Sequence, residues 1–321
     1  MNILLTSAGR RSSLVEAFLE AARPCGQRVF VTDMDPLAPT CSLADGAFQV
    51  PRIGHPDLLA RLLDICRTEG VGLIVPTIDT ELPLLAEAAP ALREQGILVV
   101  VSRPEFVDTC MDKWKTAQVF AREGIPVPLS WLPSEGAPGI YPQVFVKPRR
   151  GSASLHAFAT TPAELPRLLA EVPDPIIQEL LVGREITVDA FLDFEGRPLH
   201  YVPRERIRTL GGESIQGVTL DEPGLGPWLE GVLEVSSRLG ALGPLTLQAF
   251  LTPRGPVLTE INPRFGGGFP LGRAAGGDYP AWILALARGE RVEPRLGDYR
   301  RGLYMTRHYR EIFLDRLPWP L

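Results

Sequence analysis

Over about the first hundred residues, short apolar runs alternate with amphipathic stretches of helical period. This alternation limits the fold more than any other feature of the chain. Residues 2–7 form an apolar run that ends toward Gly9, and residues 12–22 repeat Leu14, Val15, Phe18 and Leu19 at helical spacing. A second strand, 28–32, closes on Asp33-Met34-Asp35-Pro36. Residues 55–69 read as a helix, 71–77 as a strand ending at Asp79, 83–94 as a helix and 97–102 as a strand. Strands that alternate with helices pair in parallel, because a right-handed crossover carries the chain back over the sheet. Ligands of such sheets bind at the carboxyl ends of the strands. Here those ends carry residues 7–11, Asp33 to Asp35, 77–81 and Ser102.

Beyond Arg103-Pro104 the pattern changes. Residues 106–124 read as one helix containing Asp112-Lys113, ended by Ile125-Pro126-Val127-Pro128, and 133–142 form a Pro- and Gly-rich loop. Strands are expected at 144–148, 176–181, 186–192, 200–202, 245–251 and 256–261, with helices at 161–171 and 230–239. Apolar and polar residues alternate from 186 to 192, as in an antiparallel strand with one buried face. The expected class is therefore α/β: an N-terminal parallel-sheet domain, then an α+β part with antiparallel sheets. The expected units are residues 1–104, 105–182 and 183–321.

A length of 321 residues fits two or three packed units. The net charge of −5 offers no basic field for nucleic acid. Cys25, Cys41, Cys66 and Cys110 form no Cys-x-x-Cys pair, which suits a reducing compartment better than a disulfide framework or zinc site. No run approaches the roughly 18 apolar residues of a membrane span, and no basic-then-apolar leader is seen. A cytoplasmic protein without membrane or nucleic-acid partners is the expectation. Neither the Gly-x-Gly-x-x-Gly fingerprint nor a Gly-x-x-x-x-Gly-Lys-Ser/Thr loop occurs.

Only three of the 33 basic side chains are lysines: Lys113, Lys115 and Lys147. An ammonium on a flexible stem suits a phosphate oxygen as a point charge. Lys147 ends the strand Val144-Phe145-Val146-Lys147-Pro148 and is followed by the small-residue turn Gly151-Ser152-Ala153-Ser154. A strand end next to such a turn can hold phosphates while the turn closes over them. Downstream, Gln178-Glu179-Leu180-Leu181 leads into Gly183-Arg184-Glu185. Such a strand and turn offer backbone groups to an adenine edge, and the acid beyond can accept ribose hydroxyls.

The strongest pattern is Glu260-Ile261-Asn262-Pro263-Arg264. Residues two apart on a strand face one way, so Glu260 and Asn262 present their oxygens together. With Gln248 on the neighbouring strand they form a hard-oxygen set suited to magnesium completed by triphosphate and water. Arg264 then reaches forward as a fixed cation, and Gly266-Gly267-Gly268 allows backbone to approach an anion.

Taken in order, Asp112-Lys113, Lys147-Pro148, Gln178 to Glu185 and Glu260 to Arg264 resemble the ATP-grasp superfamily. The resemblance is to its carbamoyl phosphate synthase large subunit-like branch and covers nearly the whole chain, from Gly9-Arg10-Arg11 to about Gly289. It implies a pre-ATP-grasp domain followed by an ATP-grasp domain, with ATP and magnesium (or manganese) as cofactors. Lys113 and Lys147 would meet the phosphates, and Gln178, Glu179, Leu180 and Leu181 would line the adenine hinge. Glu185 would bind the ribose, and Gln248, Glu260 and Asn262 the metal. Lys147 and Arg264 would act in catalysis, Arg264 by steadying a phosphorylated intermediate. Lys115 matches no family position and reads as a solvated helix residue. No amidotransferase unit or second synthetase half is present, which argues against carbamoyl phosphate synthesis itself.

The implied reaction is that of a carboxylate–amine ligase, whose partners are a small carboxylate and an amine, with a homodimer left open. A phosphotransferase and a non-catalytic ATP-binding regulator are the alternatives. Arg204, Arg206 and Gly212 are candidates for an anionic-substrate clamp, and Arg10 and Arg11, with Asp79 and Glu81, for the opposite wall. The residues 291–321, including Tyr304, Arg307, His308 and Tyr309, either pack over the site or close the fold. His55, His156, His200 and His308 are isolated in sequence and are not expected to be catalytic.

Overall fold

The computed structural model describes residues 1–136, 139–151, 156–210, 213–222 and 224–320. The N-terminal part alternates β1 (Asn2–Thr6), α1 (Ser12–Ala22), β2 (Val29–Asp33), α2 (Thr40–Leu43) and β3 (Gly46–Gln49). It continues through α3 (Leu58–Glu69), β4 (Val71–Pro76), α4 (Leu82–Glu94) and the two-residue β5 (Leu98–Val99). These strands form one five-stranded sheet in the order β3-β2-β1-β4-β5, and every adjacent pair is parallel. The strand order reverses between β1 and β4, so the crevice of a doubly wound sheet falls there.

That crevice is filled by an internal acid. Glu81 is buried and accepts hydrogen bonds from Thr6 Oγ1 (2.8 Å), Ser7 Oγ (3.0 Å) and the Thr77 amide (3.0 Å). Burial pushes its carboxyl upward, and these bonds oppose the rise. To reach it, Ser7 adopts a left-handed backbone with φ 49°. Such a conformation costs a non-glycine residue roughly 1–3 kcal/mol. Glu81 is thus a staple between two strand ends, which corrects its expected place on a substrate wall.

The single helix expected over 106–124 is two, α5 (Pro104–Cys110) and α6 (Lys113–Arg122). Asp112 causes the break. It leaves the helical backbone and caps α6, its Oδ1 accepting from the amides of Trp114 (2.9 Å) and Lys115 (3.4 Å). Helical periodicity continues across such a junction, so only the capping residue betrays it.

A four-stranded antiparallel sheet follows, built from β6 (Ser130–Trp131), β7 (Val144–Pro148), β8 (Phe158–Thr160) and β9 (Pro175–Glu179) in the order β6-β9-β7-β8. Helix α7 (Leu165–Glu171) joins β8 to β9. The last part holds β10 (Arg184–Leu192), β11 (Pro198–Leu210), β12 (Glu213–Thr219), α8 (Leu225–Arg238), β13 (Gly243–Thr252) and β14 (Gly255–Asn262). Helices α9 (Phe269–Ala274) and α10 (Tyr279–Ala287) and the short β15 (Tyr304–Thr306) complete it. Its sheet is antiparallel throughout, in the order β14-β13-β10-β11-β12-β15. β15 shows that the chain beyond 291 adds an edge strand.

One core joins the first and last parts. Phe18 of α1 meets Phe265 edge-on at 6.0 Å, and Phe269, Tyr279, Ile283 and Leu284 pack in the same cluster as Ile3, Leu5 and Val31. Burying each such side chain contributes about 1.5–3 kcal/mol. This packing sets the turn after β14 directly against the loop after β1. Within it His200 is a core residue: Nδ1 lies 3.1 Å from Tyr279 Oη and Nε2 2.9 Å from the Asp298 carbonyl. Burial lowers its pKa.

Candidate active site

A cavity of about 530 Å³ is walled by both antiparallel sheets and the start of α6. Its lining includes Lys113 from α6, Phe145 and Lys147 from β7, and Gln178, Glu179, Leu180 and Leu181 at the end of β9. The larger sheet contributes Glu185 from β10, Arg206 from β11, Gln248 and Phe250 from β13, and Thr259 and Glu260 from β14. Residues spread over 148 positions of sequence, from Lys113 to Glu260, therefore share one space.

The β13–β14 ladder contains an irregularity that shapes this wall. Gln248 pairs with Glu260, yet the next residue, Ala249, pairs with Leu258, so Thr259 is an extra residue in β14. Such a bulge bends the strand and re-aims its side chains. Thr259 Oγ1 donates to the Gln248 carbonyl at 3.0 Å. As a result Leu258 and Ile261, three apart, both enter the core, while the neighbours Thr259 and Glu260 both line the cavity.

Charge is concentrated at this end. Lys113 Nζ stands 3.9 Å from Glu260 Oε2 and donates to the Gly151 carbonyl at 2.7 Å. Lys147 is pushed down to about 8, first by desolvation and then by the neighbouring Lys113 charge, against the pull of Glu260 and Glu185. Two lysines facing one carboxylate leave local positive charge suited to a polyanion. Arg149 anchors the β7 end by pairing with Asp112: Nη2 to Oδ2 at 2.6 Å and Nε to Oδ1 at 3.3 Å. Burial alone raises the Asp112 carboxyl, but the Arg149 and amide hydrogen bonds outweigh it and hold the group below its usual range.

At the opposite end the side chains of the expected hinge are structural braces. Gln178 Nε2 donates to Ser130 Oγ at 2.8 Å, and Glu179 Oε1 accepts from the Leu129 amide at 2.8 Å and pairs with Arg254. These bonds fix the backbone that continues into Leu180 and Leu181. Glu185 Oε1 accepts from Arg206 Nη1 at 2.9 Å, so Arg206 belongs to this cavity and stands beside Glu185.

The structure brings Gln248 and Glu260 directly opposite each other; Asn262 lies on the same strand two residues on, paired with Thr246. Its Oδ1 accepts from Arg264 Nη2 at 3.1 Å. Neither Asn262 nor Arg264 lines the large cavity. Arg264 Nη2 also reaches Asp79 Oδ2 at 2.7 Å, and Nη1 donates to the Phe265 carbonyl at 3.1 Å. Among the described residues no three His, Cys, Asp or Glu side chains gather as a metal cluster. The candidate donor set is thus one carboxylate and two amides.

Arg204 corrects the sequence reading. Expected on an exposed clamp, it is 2% exposed and paired with the equally buried Asp189, Nε to Oδ2 at 2.8 Å and Nη2 to Oδ1 at 3.3 Å. The glycines after β14 serve this pair. A Cβ on Gly268 would lie 2.3 Å from the Arg204 guanidinium, and one on Gly272 would lie 2.8 Å from Asp189 Oδ2. The small side chains therefore admit an internal ion pair. Gly212 and Ser152 to Ser154 lie outside the described residues. Arg10 and Arg11 border a separate small cavity with Arg307. Arg150 and His156 also line the large cavity; each was hidden in sequence, His156 by its isolation and Arg150 by its place among routine surface arginines. Lys115 pairs with Asp108, near the surface.

No helix of the described residues is long and apolar enough to cross a membrane. No curated protein matched the sequence. Residues 3–100 match the family described as PylC-like, N-terminal domain, and residues 171–308 that described as ATP-grasp in the biosynthetic pathway with Ter operon. Among solved structures, the chain is similar to the biotin carboxylase domain of Hydrogenobacter thermophilus 2-oxoglutarate carboxylase, solved with MgADP, ADP and bicarbonate. The TM-score is 0.76 at 17% identity, over 94% of this chain and 73% of that one. Staphylococcus aureus N5-carboxyaminoimidazole synthetase, complexed with ADP, gives 0.73 at 14% identity, over 91% and 78%. L-amino acid ligase from Bacillus licheniformis gives 0.70 at 17%, over 89% and 73%. Identities this low carry the fold, and the two family matches carry the assignment: the chain belongs to the ATP-grasp superfamily, with a PylC-like N-terminal domain ahead of its ATP-grasp part.

Proposed function

We propose that this chain is an ATP-dependent ligase that activates a carboxylate as an acylphosphate and couples it to an amine. The observation that carries the reading is the single cavity shared by Lys113, Lys147, the 178–181 strand end, Glu185, Gln248 and Glu260. Similar structures solved with ADP or MgADP support the choice of nucleotide.

In this reading adenine lies along the backbone of residues 178–181, with Glu185 on the ribose and Lys113 and Lys147 on the phosphates. Gln248, Glu260 and Asn262 fit magnesium as hard-oxygen donors, few enough that phosphate oxygens and water complete the shell. When bound, the metal supplies charge neutralisation to the transferring phosphoryl group. The substrate carboxylate attacks the γ-phosphorus of ATP, the bond to ADP breaks, and an acylphosphate forms. The amine then attacks the acyl carbon and phosphate leaves. Arg264 offers its guanidinium to that intermediate. Two atoms of its ion pair, Arg264 Nε and Asp79 Oδ1, are buried without a hydrogen-bond partner among the described residues. The proposed units are residues 1–104, 105–182 and 183–321.

The test is a screen of carboxylates crossed with amines for ADP release, after MgATP binding is shown by thermal protection of the full chain. ADP with free phosphate, dependent on both substrates, supports the ligase. ADP with a stable phosphorylated product means a phosphotransferase, and absence of any MgATP protection sinks the nucleotide assignment.

A further inference from the structure

Strands β10 and β11 run antiparallel with Ile186 opposite Glu205. Successive side chains point to opposite faces, so Arg184, Ile186 and Glu205 share one face, and Glu185 and Arg206 the other. Ile186 enters the core on the first face. On the second, Glu185 and Arg206 both line the large cavity. An ion pair crosses the ladder on each face: Arg184 Nη1 to Glu205 Oε2 at 3.3 Å, and Arg206 Nη1 to Glu185 Oε1 at 2.9 Å. The two bonds are alike in chemistry, but one of them opens on the cavity.

The Arg206 side chain keeps 13% of its exposure and Glu185 40%. The guanidinium is thus held by the protein around it, while the acid is the more open partner. A lone glutamate rotates about its side-chain bonds, and a ligand that uses it must first stop that motion. The bond to Arg206 stops it beforehand. It engages Oε1, so Oε2 is the oxygen that can meet a sugar hydroxyl, in a hydrogen bond strengthened by the carboxylate charge. Phe250, directly opposite Glu185 on β13, lines the cavity as well and supplies an apolar neighbour, not a competing donor.

We propose that Arg206 is a positioning residue that fixes Glu185 for a ribose hydroxyl, so that the site selects ribonucleoside over deoxyribonucleoside triphosphates. The inference rests on the reading of this cavity as an ATP site. It moves Arg206 from the anionic-substrate clamp expected in sequence to the sugar of the nucleotide.

The experiment measures binding of MgATP, magnesium 2′-deoxy-ATP and magnesium 3′-deoxy-ATP to the full chain by titration calorimetry. Wild type should prefer ATP by about tenfold or more over one deoxy analogue, the scale of a lost charge-assisted hydrogen bond. The analogue that binds worse identifies the hydroxyl that meets Glu185. Arg206→Met should bring ATP down to the level of that analogue, whose own affinity is little changed. Arg206→Gln is the second variant should the first fold poorly. Arg184→Met removes the pair on the core face and should leave the ratio of ATP to deoxy-ATP affinity at its wild-type value. A wild type that binds all three nucleotides alike overturns the proposal. So does an Arg206 variant that keeps the wild-type ratio, even if it weakens all three, because Arg206 would then act only as a charge or a brace of the ladder. A shifted ratio in Arg184→Met overturns it too. Absence of MgATP binding in wild type is a different failure: it removes the nucleotide reading itself, and this inference with it.

Discussion

Arg264 and Asp79 stand 185 residues apart in sequence, yet Nη2 of one lies 2.7 Å from Oδ2 of the other. The pair ties the end of β14 to the loop after β4, and both side chains keep only 12% and 15% of their exposure. Asp79→Ala leaves the guanidinium partly buried beside no carboxylate. Stability should fall by up to about 3 kcal/mol, somewhat below the figure for a fully buried pair. Denaturant unfolding of Asp79→Ala, Arg264→Ala and the double variant checks this. A coupling energy near zero would show that the contact contributes nothing.

Glu260 should matter for turnover and little for folding, since it lines a cavity instead of filling the core. Glu260→Ala is expected to cut ADP release by about 10²–10³-fold or more, the scale seen when one transition-state electrostatic contact is lost. Circular dichroism and the melting temperature should stay close to wild type. Retained turnover would falsify the metal assignment.

Lys147 predicts a proton linkage. Its pKa of about 8 in the free protein rises when phosphate oxygens replace lost solvation, so MgATP binding near pH 8 should take up protons. Calorimetry in buffers of different ionisation enthalpy measures the uptake. Affinity should weaken as pH rises through 8. In the free protein the unfolded chain holds more protons between about 8 and the ordinary 10.5, so this residue makes stability rise with pH over that window. Lys147→Met should abolish both effects.

The buried Asp189–Arg204 pair predicts a structural phenotype. Asp189→Ala strands a guanidinium in the core and should cost about 3–5 kcal/mol. Gly268→Ala should also destabilise, because its Cβ would overlap the Arg204 guanidinium at 2.3 Å. Urea midpoints for both variants provide the measurement, and a wild-type midpoint in Gly268→Ala would mean the turn relaxes freely.

Much of this was legible in sequence because period and position coincide. The strand–helix alternation gave the parallel sheet, and residues 12–22 match α1 end to end. Lysine scarcity pointed to Lys113 and Lys147, and both line the large cavity. Arg204 was misread because a charged strand looks solvated until its partner is known, and Asp189 lies on a neighbouring strand 15 residues earlier. The α5–α6 break was hidden because apolar spacing runs through it, and the signal was Asp112 followed by two lysines' worth of polar helix start. β15 and the length of β11 depend on pairing with distant segments, which no local pattern encodes.

The extra residue at Thr259 has a consequence for tolerance to change. Upstream of it the even position Leu258 faces the core; downstream the odd position Ile261 does, and Glu260 faces the cavity. Deleting Thr259 would bring Leu258, Glu260 and Ile261 into ordinary alternation, so Ile261 would stay inside and Glu260 would stay at the cavity. What such a deletion removes is the bend of the strand, so this one position can absorb a lost residue without turning the acid of the site inward.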